Sequence, residues 1–148
     1  MVFLVFFLVL YGIMMYGMIF TAQQSLNLAA QDGARKALQW QAGAGHMQLR
    51  ADAARAMALQ QADWITAVSG APLAVAVCGS GGPLSATADA ACSGLALADD
   101  QLEVIVKYSY GAHPLIPNLP LIARAMVPDF LQARASVRLS DLAGAEGA

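Results

Sequence analysis

The sequence predicts an α+β chain with a long N-terminal helix, a second helix and a small antiparallel sheet of about three strands. Three observations carry this expectation. Met1–Phe20 is almost wholly apolar, and no charged residue precedes Asp32. Small apolar residues at helical spacing continue the run toward Trp40. Leu102–Tyr110 and Ala133–Leu139 alternate with the period of a strand.

The first element, residues 1–20, has the dimensions of a membrane span. Roughly 20 residues rising ~1.5 Å each cover the ~30 Å hydrocarbon core of a bilayer. A secretory signal would carry basic residues ahead of a shorter apolar core, and a small-residue cleavage site behind it. Nothing basic precedes this core, and Thr21-Ala22 fits a cleavage site poorly. The run therefore reads as a retained anchor. Gly12 and Gly17 within it would let neighbouring helices approach closely.

The helix continues as an amphipathic segment, residues 21–42. Leu26, Ala30, Gly33, Ala37 and Trp40 form one stripe, with Gln24, Gln31, Arg35 and Gln39 off it. Gly43-Ala44-Gly45 is its expected stop. The rest, residues 43–148, reads as one small α+β domain. A second helix is expected over Met47–Val68, with Leu49, Ala53, Ala56, Met57, Gln60 and Trp64 sharing a side. Asp52 and Arg55 on it are spaced for a surface ion pair.

Strand patterns follow. Leu73–Val77 is short, apolar and partly β-branched. Gly79–Ala91, rich in Gly, Ser and Ala, reads as a loop. In Leu102–Tyr110 the residues Leu102, Val104, Val106, Tyr108 and Tyr110 share a face, while Glu103, Lys107 and Ser109 point away. Pro114, Pro117 and Pro120 forbid a continuous helix after it, and a short helical piece is expected over Leu121–Met126. In the third strand Ala133, Ala135, Val137 and Leu139 face inward. The tail AGAEGA is expected to be disordered. The amphipathic half of the first helix is the cover available for the sheet.

Composition narrows the function. The chain is 58% hydrophobic and 12% charged, with a net charge of −2. Soluble domains average about 25% charged residues, and no basic surface exists to recruit nucleic acid. Cys78 and Cys92 form no CxxC pair, and neither His46 nor His113 adjoins them, so a zinc site has little support. A cysteine pair in a membrane-anchored, non-cytoplasmic domain is more often a disulfide; two buried thiols are the alternative. Arg35 and Lys36 taken alone would place the domain in the cytoplasm, against the reading from the cysteines.

Tyr11-Gly12-Ile13, Tyr16-Gly17, Gln23-Gln24-Ser25-Leu26 and Ala29-Ala30-Gln31-Asp32-Gly33-Ala34-Arg35 occur in this order after the apolar start. This series resembles TadE-like proteins, minor pilins or pseudopilins of the tight-adherence (Tad, or Flp) pilus system. The likeness is strong over about the first 40 residues and loose beyond. It implies a type IV pilin-like arrangement, and a single-span protein of the bacterial inner membrane whose C-terminal domain is periplasmic. Partners implied are other pilins or pseudopilins and the pilus assembly machinery, with support of pilus assembly or initiation, and thereby adhesion, as the role. Entry into the extracellular pilus is left open. The family is also cut by a prepilin peptidase after a short basic leader, with an acidic residue soon after the cut. Counting back from Gly12, that acidic position falls just before Met1, so either the sequence starts past its leader or the chain is a divergent member; an upstream leader, and with it the prepilin peptidase as a partner, is the expectation. Met15 stands where many members carry an acidic residue.

Candidates for chemistry are few. His46 reads as an exposed turn histidine and His113 as a structural or exposed one, rather than as catalytic groups. Ser80 and Ser93 sit beside glycines but in no nucleophile elbow. Asp99-Asp100 reads as a turn, short of the oxygen ligands calcium needs. The Gly79–Gly82 cluster lacks a phosphate-binding lysine. Trp40 and Trp64 read as core or interfacial aromatics, with partner binding as the competing role. No enzyme and no cofactor is implied. The alternative to a pilus role is a membrane-anchored periplasmic module that binds a ligand or protein, which would need an apolar pocket with convergent polar groups.

Overall fold

The computed structural model describes residues 2–39, 46–117 and 127–139. Helix α1 runs unbroken from Val2 to Leu38. Its 37 residues make it ~55 Å long. Helix α2 spans His46–Gln61 and α3 spans Asp63–Ser69. Strands β1 (Ala74–Gly79), β2 (Gly82–Ala86), β3 (Gln101–Tyr108) and β4 (Leu131–Arg138) form one antiparallel sheet in the order β2-β1-β3-β4.

The sheet therefore has four strands where three were expected. The additional strand, β2, lies in the stretch read as a loop. Its sequence GPLSA carries no β-branched residue, so propensity did not mark it. It forms because Ser80 and Gly81 close a two-residue turn between the paired Gly79 and Gly82, with Gly82 at φ 115°. The free edge of β1 supplies the hydrogen bonds.

The expected second helix is two helices. Ala62, at φ −106° and ψ 13°, breaks it. No proline or glycine marks the place, so the pattern reads through it. Gly70 ends α3 in the left-handed conformation, its N–H donating to the Thr66 carbonyl at 2.8 Å.

The buried side of α2 also differs from expectation. Arg50, Ala51, Ala54 and Ala58 are buried, followed by Ala62 and Ile65. Leu49 is exposed, as are Ala56 and Gln60, while Ala53, Met57 and Trp64 are half-buried. The reason is steric. α2 lies against Ala30, Gly33, Ala34 and Ala37 of α1, all buried. Two helices this close admit alanine between them and exclude leucine.

α1 and α2 cover one face of the sheet, with Val75, Val77, Leu102, Val104, Val106, Tyr108, Leu131 and Ala133 in their common core. Ala135, Val137 and Leu139 pack on its margin. The other face is also buried at its centre: Ala76, Cys78, Glu103 and Ile105 are each at most 4% exposed. Residues between β2 and β3 cover them, held by the Cys78–Cys92 disulfide. Glu103 does point away from the helices, yet it lies under this cover and not in water. The expected helix stop at 43–45, Trp40, Pro120, the helical piece at 121–126 and the tail lie outside the described residues.

Candidate functional site

The first half of α1 meets little of its own chain. Phe3 is 81% exposed, Ile13 65% and Phe20 66%. This helix is long and apolar enough to cross a membrane. Gly12 and Gly17 lie in it, and a Cβ built at either would meet no atom within 4 Å. Among the described residues the domain brings nothing to these two positions.

From Ala22 onward the helix changes partner. Ala22, Leu26, Ala29, Ala30, Gly33, Ala34 and Ala37 are all buried against the domain. Hydrogen bonds to distant segments hold α1 in place. The Tyr11 hydroxyl donates to the Pro117 carbonyl. Gln23 Nε2 donates to the Gln132 carbonyl at 3.0 Å. The Trp64 indole N–H donates to Ser25 Oγ at 2.8 Å. Arg50 donates to the Ala37 carbonyl at 3.3 Å, near the end of the helix, where a cation is favourable.

Gly33 is the tightest point. A Cβ there would lie 3.0 Å from the Ala54 carbonyl oxygen and 3.3 Å from both Ala58 Cβ and Val104 Cγ1. The stripe Leu26, Ala30, Gly33 and Ala37 thus packs on α2 and the sheet of its own domain. Gly12 and Gly17, by contrast, have open flanks among the described residues.

Cys78 and Cys92 are joined, with Cα atoms 6.0 Å apart. Next to the bridge, Ser93 Oγ donates to the Glu103 carboxylate at 2.6 Å. This contact was not legible in sequence, because it depends on how the bridge folds residues 87–100 over the sheet.

A tyrosine cluster sits where the domain meets the apolar half of α1. Tyr108 and Tyr110 are fully buried and meet edge to face at 6.3 Å. The Tyr108 hydroxyl donates to the His113 carbonyl. Among the described residues the buried Tyr110 hydroxyl makes no well-formed hydrogen bond, although the Leu115 backbone lies near it. Burial first, then the nearby Tyr108 and Tyr11, raises its pKa above 10.0; the adjacent Leu115 backbone opposes this more weakly. Met15, in the middle of the apolar run, is only 2% exposed. The sequence marked Tyr11 and Met15 only through the family resemblance and gave neither a contact with the domain, because a span of uniform hydropathy gives no cue to which side a domain will cover.

The remaining candidates stay apart. His46 opens α2 and is exposed; His113 is exposed in the loop after β3. Ser80 is exposed in the β1–β2 turn, and Asp99 and Asp100 form the turn before β3. Among the described residues no group of three or more His, Cys, Asp or Glu could hold a metal ion. A cleft of about 660 Å³ opens beside Leu59, Asp63, Thr66, Leu73, Lys107 and His113.

Comparison with known proteins bears on the helix. A family model described as TadE-like protein matches residues 1–35. No curated protein and no solved structure matches the chain.

Proposed function

We propose, from the premise that this chain is TadE-like over residues 1–35 and so associated with the Tad pilus, that it serves as a minor pilin or pseudopilin. It supports pilus assembly or initiation at the bacterial inner membrane, and adhesion follows from the pilus. Its partners are other pilins or pseudopilins and the assembly machinery. The domain faces the periplasm, an oxidising compartment that suits the Cys78–Cys92 bridge.

One observation carries this reading: α1 is a single helix of two kinds. Its first half exposes apolar side chains, and its second half is buried in its own domain. Such a helix can leave lipid for a filament core without meeting water, because both surroundings favour apolar burial. Gly12 and Gly17 would form the contact with neighbouring helices, since their flanks are open among the described residues of the single chain.

Complementation tests the proposal. In a strain lacking the chromosomal copy, Gly12→Leu and Gly17→Leu should reach the membrane at normal level and fail to restore pili. Normal piliation by the deletion strain would remove the assembly role. The binding-module reading draws on the cleft beside Lys107 and His113. It requires pili to be normal without the protein, and so the same strain separates the two.

A further inference from the structure

We infer that the loop at residues 111–117 inserts into the lipid leaflet that faces the domain, making the domain a second membrane contact beside α1. The inference rests on α1 spanning the bilayer.

The starting point is the bond from the Tyr11 hydroxyl to the Pro117 carbonyl. Tyr11 lies well inside the apolar run, which extends to Phe20. The two positions are ~14 Å apart along the helix, which is about one leaflet of a ~30 Å core. Seating the run in the bilayer carries the loop in with it. At the same level the helix side away from the domain exposes Ile13, Met14 and Tyr16, so lipid is the medium that this level requires.

The loop is built for such a medium. Gly-Ala-His-Pro-Leu-Ile-Pro contains no acidic residue, lysine or arginine. Backbone polar groups in lipid need partners within the protein, and Pro114 and Pro117 have no N–H to satisfy. The Gly111 N–H donates to the Asp129 carbonyl at 2.8 Å, and the His113 N–H to the Ser109 carbonyl at 3.1 Å. The His113 and Pro117 carbonyls accept the Tyr108 and Tyr11 hydroxyls. Four of the loop's backbone groups are thus paired within the described residues, the two prolines remove two donors, and Leu115 and Ile116 offer half-buried apolar side chains.

Depth-dependent quenching tests this. Both native cysteines are bridged, so an introduced cysteine is the free thiol for labelling. Full-length Ile116→Cys and His113→Cys proteins would carry an environment-sensitive fluorophore. Leu8→Cys would report the span, and Ser80→Cys the far end of the sheet. Each is placed at low density in phosphatidylethanolamine–phosphatidylglycerol vesicles containing lipid with a mid-chain nitroxide. Leu8 and both loop labels should lose most of their emission, and Ser80 essentially none. Quenching at Leu8 with unquenched loop labels overturns the inference and keeps the span. No quenching at Leu8 overturns both. Loop labels that emit as if dry, yet escape the lipid quencher, mean that a second copy covers the loop, which also overturns the inference.

Discussion

Trp64 and Ser25 tie the start of α3 to the middle of α1: the indole N–H donates to the serine hydroxyl at 2.8 Å across 39 residues of sequence. This bond lies where α1 passes from its exposed half to its buried one. It holds the helix at a fixed angle and height on the domain, which matters if that helix must later pack among neighbours.

Ser25→Ala should therefore cost ~1 kcal/mol of stability, the usual loss for one hydrogen bond. Thermal unfolding in detergent measures it. In a Trp64→Phe background the same substitution should cost measurably less, because its partner is gone. Equal losses in both backgrounds would show that the bond contributes nothing.

Gly33→Leu should destabilise the domain by ~1–3 kcal/mol through overpacking, since even a Cβ would sit 3.0 Å from a backbone oxygen. Any loss of pili in this variant should be matched by loss of folded protein. Gly12→Leu and Gly17→Leu, with open flanks, should leave the melting temperature unchanged. That contrast separates folding from assembly.

The bridge closes a loop between cysteines 14 residues apart. Removing it by Cys78→Ala with Cys92→Ala should cost ~3 kcal/mol in the chain-entropy model. Ser93→Ala should cost a further ~1–3 kcal/mol when made in the bridged protein, because it strips a partner from the buried Glu103 carboxylate. Within the unbridged protein its cost should shrink, the cover over Glu103 being loosened. Denaturant unfolding of the three variants and the parent protein reads both effects.

Tyr110 sets an alkaline limit. Its folded pKa is raised above the unfolded value of 10.0, mainly by burial. The unfolded chain therefore gives up this proton first. The stability from neutral Tyr110 is complete below about pH 10 and is lost as pH rises through the folded value. Tyr110→Phe should weaken that dependence. At neutral pH it should be neutral or slightly stabilising, because the buried hydroxyl it removes makes no well-formed hydrogen bond among the described residues. Unfolding midpoints at pH 8 and above pH 10 check both statements.

Local chemistry alone determined the apolar start, the stripe Leu26, Ala30, Gly33 and Ala37, and the alternating strands around Val104 and Ala133. Each is a periodic pattern of burial, and periodicity is written residue by residue. The family likeness of residues 1–35 is of the same kind. Tertiary structure decided the rest. Propensity did not mark β2, because a strand of Gly, Pro, Leu, Ser and Ala forms only when a neighbouring edge offers hydrogen bonds. Beside Gly33 the inward side of α2 went to Ala54 and Ala58, and Leu49 was turned out, because the space there is too narrow for a larger side chain. Glu103 was buried by a cover that only the closed bridge places. Tyr11 acquired its role from Pro117, 106 positions away. Such contacts depend on distances between elements, and those distances exist only once the chain has folded.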